Sequence, residues 1–291
     1  MKQVTHCEFG AVIETSAFRS ALISWNIAMT DGGFAVDMAV RCADTGEWSR
    51  ELEINAWGDM SGTTRSPKAH PWCAVAVDHF QSQVPCNALR LHQRSSSNTE
   101  AVVHQLVACT RDDAAPGPMT AASQCCRIEV PFRSQKSEDA TVADRICSPT
   151  SVAMVMEYFG VDVPTKDVAA LLHDPEERIY GNWVRAVQGA HELGLAGHLE
   201  SFEDLESAEA LLARGQPIIA SIRTAAGDIP NAPYEQTQGH LLVLTGTDER
   251  GNIRVNDPAA VNAASGVTTY PRQAIHKAWI LNGGIAYILH P

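Results

Sequence analysis

Between residue 34 and residue 159 the hydrophobic period changes from two to that of a helix, so one layer architecture cannot hold the whole chain. In GFAVDMAVRC, Phe34, Val36, Met38, Val40 and Cys42 alternate with Ala35, Asp37, Ala39 and Arg41. That is the period of a strand with one face buried, and the turn signal Thr30-Asp31-Gly32-Gly33 precedes it. ELEINAWG puts Leu52, Ile54 and Ala56 on one face, while NALRLHQR and AVVHQLVACT supply further strands. Polar stretches such as SGTTRSPKAH and QRSSSNTE separate them. Many short strands without helical spacing predict an all-β antiparallel sandwich, jelly-roll-like, over residues 1–112.

RDDAAPGPMTAASQ, at 111–124, is rich in Pro, Gly, Ala and Ser and reads as a connector. The linker is expected at 113–126, with a second domain at 127–291. There Val152, Val155, Met156 and Phe159 recur at helical spacing and Gly160 is the expected stop. NWVRAVQGAHELG and FEDLESAEALLARG predict two more helices. QPIIASIR, GHLLVLTG, NIRVNDPA and GGIAYILH then predict strands, an α+β order.

Charge and cysteine usage narrow the function classes. A net charge of −12, with the acids dispersed, argues against a nucleic-acid backbone as partner, which needs a basic surface. No apolar run reaches the ~18–20 residues of a membrane helix. MKQVTHCEFG lacks the apolar segment of a secretory signal, so a cytoplasmic location is expected, or a secreted one if the chain is a mature form. The 8 cysteines form no pair of zinc knuckles, so no metal is expected; reduced, buried thiols are expected, with a disulfide or two in the N-terminal half, where seven of them lie, as the alternative.

Cys147, in RICSPTSVAMVMEYFG, opens the predicted helix. Unpaired N–H groups and the positive dipole end of a helix favour a thiolate there. Pro149 suits the first turn, where its missing N–H removes no bond. A buried structural thiol is the competing reading. A nucleophile needs a base, and His240 stands between a glycine and the apolar strand LLVLTG. The chain turns through Asp248-Glu249-Arg250-Gly251 and returns as NIRVNDPAA, a hairpin that brings Asp257 back beside His240. Asp257 can then orient the imidazole. Gln135, in VPFRSQ, is a candidate side-chain donor to an oxyanion, with the Cys147 backbone N–H as the second. Trp183 and Asn182 are candidate walls of a substrate cleft, with core packing the alternative for Trp183.

VPFRSQ, CSPTSVAMVMEYFG and GHLLVLTGTDERGNIRVNDPAA together resemble the bacteriocin-processing-related cysteine peptidases of family thirty-nine, within the papain-like superfamily. The resemblance is nearest to their stand-alone bacterial branch and extends to YGNW at 180–183 and GGIAYILHP. It implies a papain-like catalytic domain with Cys147 as nucleophile, His240 as base, Asp257 as orienting acid and Gln135 at the oxyanion. It also implies a peptide or amide substrate and no cofactor. Ser148 departs from the glycine common in relatives and would crowd the pocket floor. SWN at 24–26 and AWG at 56–58 are similar to a β-sandwich that precedes such domains. Transporter-linked relatives cut after a Gly-Gly leader, but nothing in this chain resembles a transporter. An acyltransferase with the same triad is one alternative. A non-catalytic module binding carbohydrate or protein, through Trp25, Trp48 and Trp57, is another.

Overall fold

The computed structural model describes residues 2–63, 66–96, 101–112, 119–120 and 125–291. The first half contains β1 (Lys2–His6), β2 (Val12–Ala28), β3 (Gly33–Cys42), β4 (Leu52–Gly58), β5 (Ala69–His70), β6 (Cys73–Ala76), β7 (His79–Ser95) and β8 (Val102–Arg111). All eight join one antiparallel sheet, in the order β1-β8-β2-β7-β3-β4, with the β5–β6 hairpin attached to β7. β2 and β7 bend where their register jumps on either side of Phe18, as extra residues in a ladder require. The expected linker at 113–126 lies almost entirely outside the described residues.

The second half opens with β9 (Cys126–Arg127) and continues with α1 (Cys147–Tyr158), α2 (Thr165–Leu172), α3 (Trp183–Glu192), β10 (Ala196–Ser201) and α4 (Leu205–Leu212). It ends with β11 (Ile218–Thr224), β12 (Thr237–Thr247), β13 (Ile253–Asn256), α5 (Ala263–Gly266), β14 (Val267–Tyr270), α6 (Arg272–Ala278) and β15 (Ile285–His290). Its antiparallel sheet runs β10-β15-β11-β12-β13-β14, with β9 on β12. Gly160 follows α1 at φ +85, a conformation that ends a helix most easily in glycine. Gly246 sits where β9 crosses β12. A Cβ there would meet the Cys126 carbonyl at 2.1 Å, so only glycine permits the crossing.

β3 departs from its half-buried expectation, because Ala35, Asp37 and Ala39 on its second face are buried as fully as Phe34 and Val36 on the first. Asp37 is tolerated there because Arg94 pairs with it at 2.5 Å and with the buried Glu53 at 2.6 Å. Most buried apolar side chains form one contiguous set running from the first sheet into the second half, with Ala35, Ala56 and Met60 as a small separate cluster. Trp25 belongs to that core at 2% exposure and Trp57 to the junction, its ring under the Arg185 guanidinium at 4.5 Å. Neither is available as a sugar platform.

The junction is polar as well as apolar. β10 pairs with β15 along one side only. On its free side Gly197 N–H donates to Asn26 Oδ1 at 2.9 Å and Leu199 N–H to Ser24 Oγ at 3.0 Å. Ser201 N–H reaches Cys109 Sγ at 3.4 Å. An edge that would otherwise template pairing with another chain is thereby closed by side chains of β2 and β8. Gln188 of α3 accepts from Ile27 N–H at 3.0 Å and donates to Ile27 C=O at 2.8 Å, fully buried. Gln188→Ala is expected to destabilise the protein by about 1–3 kcal/mol for each backbone group left without a partner. Urea denaturation measures this, and an unchanged midpoint would mean that water replaces the amide.

Candidate active site

α1 begins at Cys147, and its N-cap, Ile146, offers no capping side chain. No side chain therefore claims the N–H groups of the first turn, and the Ser148 N–H helps to lower the thiol's pKa. α1 is held against β12 by Ser151, whose hydroxyl donates to Leu241 C=O at 3.2 Å. That bond brings Cys147 beside His240 and Leu241. The imidazole lies beside the thiol on one side, close enough for each to shift the other's titration. On the other, Nε2 lies 2.8 Å from Asp257 Oδ1. β12 and β13 form the expected hairpin, with Val243 opposite Asn256, and Asp257 follows directly. Cys147, His240 and Asp257 are thus brought together in the order anticipated from sequence.

Their electrostatics are mutually reinforcing. Burial raises the Cys147 thiol, but the hydrogen bond and charge of His240, with the Leu241 and Ser148 N–H groups, outweigh it and lower the pKa. Burial works against His240 as a cation too, yet Asp257 and the thiolate lift it well above the ordinary imidazole value. Asp257 is fully buried, and burial alone would raise it; the charge of His240 and the bonds it accepts hold it low. Those bonds come from His240, from Ala259 N–H at 3.0 Å, from Tyr234 Oη at 3.0 Å and from Tyr270 Oη at 2.8 Å. Tyr234 also lays its ring against the imidazole, with centroids 4.9 Å apart. Neither tyrosine is marked in the sequence by any motif.

Gln135 is buried, its Nε2 donating to Ala143 C=O at 2.6 Å, while Oε1 has no hydrogen-bond partner. One of the two amide hydrogens is therefore committed to the loop before Cys147. Ser148 and Asn182 are corrections to the sequence reading. The Ser148 side chain is fully buried, 3.1 Å from Tyr287 Oη, and turns away from any substrate. Asn182 is the N-cap of α3, accepting from Arg185 N–H at 3.2 Å and donating to Asp174 at 2.7 Å, at 1% exposure. A helix start needs such a cap, and that need explains the residue without a substrate.

Cys147 opens onto a cleft of about 630 Å³, and Trp183 lines it. Part of the wall was not foreseen, because it comes from the first half: Ala76, Val77, Asp78 and His79, the β6–β7 turn. Val77 adopts φ +61, which is strained for a β-branched residue. Asp78 fixes the turn by accepting from the N–H groups of Trp183 and Val184 at the start of α3. Its burial, only partly offset by those bonds, raises its pKa to about 7. His79 bonds Ser20 at 2.7 Å, and burial, together with Arg223 and Arg111 nearby, lowers it to about 4. Among the described residues no cluster could hold a metal ion, and no helix is long and apolar enough to cross a membrane.

A thiol beside an imidazole at the mouth of this cleft is an arrangement that acyl-transfer chemistry uses, and the family match below makes the protein a cysteine peptidase, a hydrolase. Residues 127–287, more than half of the chain, match the model described as the Peptidase_C39 like family, and the chain belongs to that family. Solved structures similar to the chain include three peptidases. A double glycine motif protease from an AMS/PCAT transporter, solved with its leader peptide, is 20% identical; 60% of this chain and 99% of that one are covered, at a TM-score of 0.39. A C39-like peptidase from Bacillus anthracis is 20% identical over 58% of this chain and 98% of that one, at 0.45. The peptidase domain of Streptococcus ComA, a bi-functional ABC transporter, is 18% identical over 51% and 93%, at 0.37. No curated protein matches the chain.

Proposed function

We propose that the protein hydrolyses peptide bonds through a Cys147–His240–Asp257 triad and a thioester intermediate. The Cys147 thiolate attacks the carbonyl carbon, and the carbonyl electrons move onto oxygen. The second Nε2 hydrogen of Gln135 and the Cys147 backbone N–H receive that oxyanion. His240, protonated, gives its proton to the leaving amine, and the C–N bond breaks. Water, deprotonated by the now neutral His240, then opens the thioester and releases the acid. Asp257 keeps the imidazole in one tautomer throughout. The first half, one antiparallel sheet of eight strands rather than the expected sandwich, is an accessory unit whose β6–β7 turn completes the cleft.

The observation that supports this reading best is the chain of contacts from the uncapped start of α1 through His240 to a carboxylate accepting from four donors. The test is selective alkylation. Limiting iodoacetamide at neutral pH is expected to modify Cys147 first, because, against its burial, His240 and the neighbouring N–H groups hold its thiol below the ordinary thiol value. Cys7, Cys73, Cys86 and Cys109 are raised, burial being the main cause in each. The Cys147 rate should hold as pH falls below the ordinary thiol range and fail only through the lowered pKa. His240→Ala should move that limb upward and slow labelling at pH 6–7. Labelling that favours Cys125 or Cys126 in the folded protein would end the proposal.

A further inference from the structure

Two arginines, Arg145 and Arg223, line the cleft onto which Cys147 opens. Arg145 lies on the loop that delivers Cys147 to α1. Arg223 lies on β11, next to Ile222, which is in register with His240. Both are exposed, and among the described residues neither forms an ion pair with a carboxylate. Arg145 is pre-set, its guanidinium over the Tyr180 ring at 5.3 Å and one N–H on Arg178 C=O. Its other donors are unclaimed.

The acids of the same cleft do not answer these cations. Asp144 is paired with Lys136. Asp78 is buried and spends its carboxylate on the start of α3. His79, held neutral at pH 7, adds no charge. A chain of net charge −12 therefore keeps two unneutralised guanidinium groups at its reacting thiol. Exposed guanidinium donors near a cleft favour carboxylates, which match their planar fork.

We infer that the substrate is an acidic peptide, with Asp or Glu side chains flanking the scissile bond and meeting Arg145 and Arg223. This rests on Cys147 being the nucleophile, and the test separates the two. The full chain is assayed with matched fluorogenic peptides carrying Asp or Glu, or the corresponding Asn or Gln, on either side of the scissile bond. In parallel, alkylation of Cys147 by anionic iodoacetate and neutral iodoacetamide is followed by mass spectrometry, relative to glutathione.

The acidic peptide is expected to be preferred by about tenfold or more in kcat/KM at low salt, with the preference shrinking as salt is added. Arg145→Gln and Arg223→Gln should each lower the acidic-to-neutral ratio several-fold, and should lower the iodoacetate-to-iodoacetamide ratio in the same direction. Arg223→Glu should shift the preference toward a lysine-containing peptide. A wild-type preference for the neutral or basic peptide overturns the inference, as does an alkylation ratio that neither substitution moves. If no peptide is cut while the alkylation ratio still depends on both arginines, the anion-selective cleft stands and the hydrolase mechanism fails.

Discussion

Cys147→Ala is expected to lower kcat/KM on a cleavable peptide by on the order of 10⁵- to 10⁶-fold, the scale on which enzymes lose a nucleophile. The fold should survive, because the helix is anchored further along by Val152, Met154, Val155 and Met156, all fully buried. Only one half-buried sulfur is removed, at the first residue of α1. Single-turnover kinetics on the purified variant, with circular dichroism as the check on folding, measure both effects. Any rate left above the uncatalysed reaction reports what Gln135 and the backbone N–H groups contribute without the thiol. Turnover within tenfold of the wild type would place the nucleophile elsewhere.

Asp257→Ala should damage stability and chemistry together. It leaves the imidazole of His240 and the hydroxyls of Tyr234 and Tyr270 without their acceptor, all beside a fully buried position. Breaking a buried charge pair by removing one partner costs about 3–5 kcal/mol, so denaturation should shift by that amount. Asp257→Asn separates the two effects. Its side-chain oxygen can keep the Oδ1 contacts with Nε2 and Ala259 N–H while its amide donates to the two tyrosine hydroxyls, so the fold and the tautomer are largely retained and only the negative charge beside the imidazolium is lost. The pH dependence has a definite sign. Asp257 is lowered on folding, so its contribution is fully present above the unfolded carboxylate value of ~3.9 and is lost as pH falls through the folded value. Asp257→Asn should therefore flatten the acid limb of the stability profile. An unchanged acid limb would mean that another carboxylate governs it.

The core of this site was legible because local signals and topology agreed. Pro149 and the apolar repeat marked the start of a helix, and the short Asp248–Gly251 turn fixed which residue would lie near His240. The errors have a common cause. Ser148 follows the nucleophile and Asn182 precedes Trp183, but successive residues at a helix start point in different directions, so neither side chain faces the cleft. Asp78, Val77, Arg223 and Tyr270 were missed because each reaches the site by a fold contact distant in the chain, and Tyr234, only six residues from His240, because the loop that turns its ring onto the imidazole carries no motif. No spacing within the chain encodes that. The single continuous sheet of the first half was equally hidden, since alternation identifies strands but not how far a bend carries the ladder.

The side-chain closure of β10 has a consequence for how the protein can be assembled. The acceptors Ser24 and Asn26 are synthesised well over a hundred residues before Gly197 and Leu199, so their strand can wait as a prepared surface when the edge emerges. Because both belong to one polypeptide, docking is an intramolecular event at an effective concentration on the order of millimolar. Supplied as two separate polypeptides, the halves would meet only by diffusion. The bare edge of β10 would then compete to pair with its own copies. The unbroken chain thus acts as its own chaperone, hiding that edge before a second molecule can reach it.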